Sequence, residues 1–149
     1  MRLFCWNQIK LMKKRSIILL FFLSCCQYYL AQTNLVGKSF RAVIGSVCEE
    51  TTKPDPCAGY MIYLVLDFQK NHVNITEKNV RSCKEFIKYQ INATWKLNSN
   101  GEIIFSYSSP PSKESFLHGF RLQQKGNTLL GYRKDWQDEM IEYTFEKVQ

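Results

Sequence analysis

The residues able to do chemistry in the body of this chain are few and widely spaced. Cys48, Cys57 and Cys83 are its three cysteines beyond residue 31, and His72 and His118 are its two histidines. Cys48 and Cys57 flank Glu-Glu-Thr-Thr-Lys-Pro-Asp-Pro, a polar, proline-bearing stretch. A bridge between them would staple a hairpin loop of about ten residues and contribute roughly 2–3 kcal/mol by the loop-entropy argument. Cys83 sits in a second polar segment between strands and competes for either partner. One thiol is then left over, as a half-buried spare or as an intermolecular or reactive group. Three cysteines and two distant histidines do not make a zinc set. Nucleophile elbows, phosphate loops, dinucleotide fingerprints and His-Glu-x-x-His helices are missing from the sequence. The expectation is a protein that is not an enzyme, with no catalytic residue, no metal and no cofactor. Asp135-Trp-Gln-Asp-Glu139 sets three carboxylates beside a tryptophan, but a calcium loop needs more oxygen ligands at regular spacing, so this reads as a charged hairpin tip. Asn74-Ile-Thr and Asn92-Ala-Thr are formal glycosylation sequons, which act only in a eukaryotic secretory pathway.

What remains is the chemistry of binding. His118 has the same parity as Phe116 and Phe120. A strand through all three turns the imidazole inward with the rings, toward a ligand's polar end or toward a neighbour that satisfies it. Arg133 shares parity with Leu129 and Gly131. If that face is internal, the guanidinium can hold an anion by a bidentate hydrogen bond. If Leu130 and Tyr132 face inward instead, Arg133 is a solvated side chain, and the strand end beside it at Lys134 favours this second reading. The aromatic residues Phe40, Tyr89, Trp95, Phe105, Tyr107, Phe116, Phe120, Tyr143 and Phe145 all take inward parity. They either line a pocket for an apolar ligand or fill the interior themselves.

The elements that position these residues are strands, because apolar residues recur with a period of two between turn residues. Ile87, Tyr89, Ile91, Ala93, Trp95 and Leu97 fall on one face of a strand, with Lys88, Gln90, Asn92, Thr94 and Lys96 on the other. Asn98–Gly101 reads as a hairpin turn into Glu102–Ser108. Further strands are expected over Lys38–Ile44, Tyr60–Gln69 (apolar on both faces and so expected to be covered), His72–Val80, Phe116–Gln124, Thr128–Lys134 and Glu139–Val148. The only hint of a helix is a turn near Ser82–Phe86. Eight sequential strands with mostly short connections predict an all-β antiparallel meander closing into a small barrel, since closure removes the edges; a β-sandwich is the alternative.

The chain has 149 residues, 45% hydrophobic, 22% charged and 14% aromatic, which suits one globular domain rather than a disordered chain. Its net charge of +7 is concentrated at the start. Arg2, Lys10, Lys13, Lys14 and Arg15 precede the apolar run Ile17–Leu23, and no acidic residue comes before Glu49. This is the pattern of a secretory signal, residues 1–31, with Met12 as a possible functional start. The apolar run is far short of the roughly 20 residues a membrane helix needs, so no transmembrane segment is expected. Cleavage after Ala31 gives a domain over residues 32–149, while Leu23-Ser24-Cys25-Cys26 offers a lipid-anchored form at Cys25 or Cys26 as the minority alternative. Without residues 1–31, 15 basic and 13 acidic side chains remain, a net of +2, which removes the argument for a nucleic-acid partner. Export to a periplasmic or extracellular space, where disulfides persist, is the expectation.

Two short stretches carry a resemblance. Gly37-Lys38-Ser39-Phe40 looks like the entry motif Gly-x-Trp of calycin barrels with the tryptophan missing, and Tyr143-Thr-Phe-Glu-Lys-Val148 looks like the last strand of fatty-acid-binding barrels. The chain therefore resembles the short exported lipocalin-like (calycin-type) proteins over Leu35–Gln149. It departs from the fatty-acid-binding pattern at Tyr143, where that family has the arginine that grips a carboxylate. The resemblance implies a barrel that binds a small, mostly apolar ligand inside. The other reading is a filled barrel acting through its loops as a cell-envelope interaction or inhibitor module, with the 48–57 loop as its contact.

Overall fold

The computed structural model describes residues 35–53, 55 and 57–148. The leader, both processing sites and Gln32 lie outside the described residues. Eight antiparallel strands run in sequence order: β1 (Ser39–Val47), β2 (Tyr60–Phe68), β3 (His72–Val80), β4 (Glu85–Leu97), β5 (Glu102–Tyr107), β6 (Arg121–Lys125), β7 (Thr128–Lys134) and β8 (Met140–Lys147). Each pairs with the next, and β8 returns to β1, so the meander closes into a barrel. No helix among the described residues is long and apolar enough to cross a membrane.

Short turns at 69–71, 98–101 and 126–127 gather at one end of the barrel, and the connections 48–59, 81–84, 108–120 and 135–139 gather at the other. The turn end is packed solid. Phe68 is fully buried and meets Phe40 edge-on at 6.0 Å and Trp95 at 5.1 Å between ring centroids. The Trp95 indole N–H donates to the Gln69 carbonyl at 2.9 Å, which satisfies the one polar atom of a buried ring. Leu64, Leu66, Val73, Ile75 and Leu122 complete a floor with no solvent exposure.

Two bulges change which residues face inward. In β1 the pairing with β2 slips between Val43 and Gly45, leaving Ile44 as the extra residue. In β4 it slips so that Glu77 faces Tyr89 but Lys78 faces Ile87. One extra residue in a strand reverses the facing of everything beyond it. Ile87, expected inside with Tyr89, is therefore 61% exposed, and Phe86 takes the inward parity at the barrel rim beside Tyr60, ring centroids 6.3 Å apart, where it is still 38% exposed. The outer face of β2 is not covered as expected: Met61 is exposed and Tyr63 half-exposed.

The disulfide joins Cys57 to Cys83, with Cα atoms 5.7 Å apart, and not Cys48 to Cys57. Register explains the choice. Val47 pairs with Tyr60 and Met61 with Val80, so Cys57, just before β2, and Cys83, just after β3, leave neighbouring strands at the same end. Cys48 instead falls against Gly59, which has a φ of +77° and would place a Cβ 2.6 Å from the Val47 carbonyl oxygen. Arg81 ties the same corner together: its guanidinium grips both Glu49 carboxylate oxygens at 2.7 and 3.2 Å and donates to the Cys57 carbonyl. Among the described residues Cys48 is left as an exposed free thiol.

The expected strand over Phe116–Gln124 begins only at Arg121. Ser115 starts a turn instead. Its carbonyl accepts the His118 N–H at 3.0 Å, its hydroxyl accepts the Leu117 N–H at 3.2 Å, and Gly119 follows with a φ of +73°. Serine and glycine at these spacings offer the backbone a turn that competes with the ladder.

Candidate ligand site at the loop end of the barrel

The inward face of β3 carries the change of chemistry. Its inward residues are Val73, Ile75, Glu77 and Asn79 in order toward the loop end, so the lining turns from apolar to polar. Glu77 is only 3% exposed. The bulge in β4 lets the Lys88 ammonium reach it, 2.8 Å from Glu77 Oε1. Burying a carboxylate is costly unless such a partner is present. Asn79 Oδ1 is buried with no hydrogen-bond partner among the described residues, an acceptor left open toward the interior.

Three tyrosines at the same end are shifted by their surroundings. Tyr89, opposite Glu77, accepts a hydrogen bond from Ser115 Oγ at 3.3 Å. Burial pushes its phenol up to about 12; the Ser115 hydrogen bond opposes this, the Glu77 carboxylate adds to it, and the Arg133 guanidinium acts against it. Burial also pushes Tyr107 up to about 12, with Tyr89 adding to the effect. Tyr143 is raised by burial too, against the pull of Arg133 and with Asp135 adding to the rise. The Asp135 carboxylate is itself occupied, accepting the Gln137 and Glu139 N–H groups at 2.8 and 2.9 Å.

Arg133 reverses its expected orientation. Leu129 is 1% exposed, and a Cβ on Gly131 would lie 2.5 Å from the Phe120 ring and 2.9 Å from Phe145. The Leu129–Gly131–Arg133 face is therefore internal, and Leu130 and Tyr132 face outward. The Arg133 guanidinium lies 4.9 Å from the centroid of the Phe116 ring. Among the described residues no carboxylate lies within ion-pair distance of it.

The 108–120 connection supplies the apolar side of the site. Phe116 is buried, edge-on to Tyr143 at 5.2 Å and tilted against Phe120 at 5.5 Å, while Phe120 lies against Phe145 at 6.2 Å. Phe105 packs beside Tyr107 at 6.2 Å. Of the sequence-based candidates, Tyr89, Tyr107, Phe116, Phe120 and Tyr143 thus come together at the loop end. Phe40 and Trp95 belong to the packed floor. His118 is exposed in the turn after Ser115 and does not point into the barrel, because the strand that would have turned it inward does not form there. Glu77, Asn79, Ser115 and Lys88 were missed, although the parity of β3 placed Glu77 and Asn79 in line with Val73 and Ile75.

The arrangement can bind an anion through a guanidinium and hydroxyl groups beside aromatic surface. Among the described residues no group of three or more His, Cys, Asp or Glu could hold a metal ion. Comparison of the chain with known protein families, with curated proteins and with solved structures finds no match.

Proposed function

We propose that this protein is a non-enzymatic exported barrel that binds a small amphipathic molecule at its loop end. The apolar part lies among Phe116, Phe120 and Tyr107, and an anionic group is held by Arg133 with help from the tyrosine hydroxyls. The observation that carries this reading is the inward Arg133 guanidinium with no carboxylate partner among the described residues. Arg133 is half-buried, and a guanidinium partly withdrawn from water gains from an anion that satisfies its N–H groups. Glu77 and Lys88 neutralise each other, so Arg133 sets the sign of the site. The open Asn79 acceptor gives a ligand hydroxyl or amide a second point of attachment.

The test is calorimetry of the protein with decanoate, 1-decanol and decylammonium. Decanoate is expected to bind tightest, and Arg133→Gln to weaken it about ten- to a hundredfold, the range of a charge-assisted hydrogen bond, with 1-decanol unaffected. Equal affinity for the three head groups, or no effect of the substitution, overturns the reading. A second reading is supported by the solid floor and by Trp136, which is 89% exposed on the 135–139 hairpin. On that reading the barrel is a scaffold and its loops bind another envelope protein. Failure of all three probes to bind would favour it.

A further inference from the structure

The barrel wall is not equally closed all round. β1 pairs with β2 at eight positions but with β8 at only two, Phe40 with Lys147 and Arg41 with Glu146. Beyond them, β1 from Ala42 and β8 back to Met140 have no partner on this side among the described residues, and a cleft of about 370 Å³ lies between them. Its lining includes the inward residues Ala42 and Tyr143 as well as the outward Val43 and Glu142. Two facing rows of unpaired backbone N–H and C=O groups are a template for another strand.

Charge favours one kind of strand. Glu142 and Glu146 line the cleft, and neither has an ion-pair partner among the described residues. The one cation in the lining, Arg41, sits over the Tyr63 ring, 5.5 Å from its centroid. A second copy adding through its own β8 would bring two acidic strand faces together, which is unfavourable.

We propose that this seam is a strand-addition site for an extended basic peptide segment of a partner protein. The open edge of β8, Met140–Thr144, spans about 17 Å at the rise of a strand, which fits five or six residues. Alternation sets their order: small apolar side chains point in toward Ala42 and Tyr143, and a lysine or arginine points out toward Glu142. The cleft shares Tyr143 with the interior site, but the charge preference rests on Glu142 and Glu146 and is tested separately from Arg133.

The test uses the whole protein with the peptide Val-Thr-Val-Lys-Val-Thr-Val and its counterpart with Glu in place of Lys. The lysine peptide is expected to bind about fivefold tighter or more, as cross-strand charge pairing allows, and to slow amide hydrogen exchange in Ala42–Val47 and Met140–Thr144. Glu142→Lys, at an exposed position, is expected to reverse the preference. No binding, equal binding of the two peptides, or binding that leaves those amides unprotected overturns the proposal. Protection of the same amides by dimer formation without peptide also overturns it, by making the occupant a second copy.

Discussion

Burial acts on the polar groups of the loop end in opposite ways according to their charge. Glu77 is met by the Lys88 ammonium at 2.8 Å, while burial makes Tyr89 and Tyr107 hold their protons. The tyrosine ionisation values of about 12, against an ordinary value of 10.0, mean that the fold favours the neutral phenols. Their contribution to stability is complete below pH 10 and is lost as pH rises toward 12, because the unfolded chain then releases protons that the folded one retains. Urea midpoints are therefore expected to fall between pH 10 and 12, and the fall to be shallower in Tyr89→Phe and Tyr107→Phe. Phenolate absorbance should show two tyrosines ionising about two pH units late. A slope unchanged by either substitution would contradict the buried placement. Both tyrosines were legible from strand parity alone. Arg133 was not: Leu129 and Gly131 on one face and Leu130 and Tyr132 on the other are nearly balanced as inward sets, and only the ring of Phe120, which fills the space over Gly131, decides between them.

Local departures from regular strands decide what each element presents. The extra residue at Lys88 turns Ile87 out and Phe86 in, and also lets Lys88 reach Glu77. Nothing in the alternating sequence of β4 marks that position. The 108–120 connection is the other such element. Its turn at Ser115–Gly119 folds Phe116 and Phe120 against β7 and β8 in place of continuing β6. Gly131 makes this contact possible, since any side chain there meets Phe120 and Phe145 at under 3 Å. Gly131→Val is expected to destabilise the protein by about 1–3 kcal/mol, the usual cost of overpacking. Combining it with Phe120→Ala should recover part of that loss, as a double-mutant cycle read by urea unfolding would show. Full additivity would mean that the ring does not lie over Gly131.

At the scale of the whole molecule, the barrel is packed at its turn end and polar at its loop end, and the disulfide fastens the loop end. Cys57 and Cys83 are 26 residues apart in sequence, so the bridge restrains the unfolded chain more than the shorter Cys48–Cys57 loop would, by the loop-entropy argument about 3.5 kcal/mol in all. The Cys57→Ala/Cys83→Ala variant is expected to lose about that much stability in chemical unfolding, while Cys48→Ser should stay within about 0.5 kcal/mol of the parent, as exposed substitutions do. Peptide mapping under non-reducing conditions should recover Cys57 linked to Cys83. A larger loss from Cys48→Ser than from the double variant would reverse the assignment.

The eight strands and their order are written in the sequence by itself, because a period of two in apolar residues and turn residues between the runs are local signals, and sequential short connections leave an antiparallel meander little choice but to close. Thr128–Lys134 and His72–Val80 could be read to their ends for this reason. The tertiary structure alone decided the facing of Arg133 and Ile87, the partner of Cys57 and the weak seam between β1 and β8. Each of these depends on where one strand meets another, and a shift of a single residue in that meeting reverses every side chain beyond it.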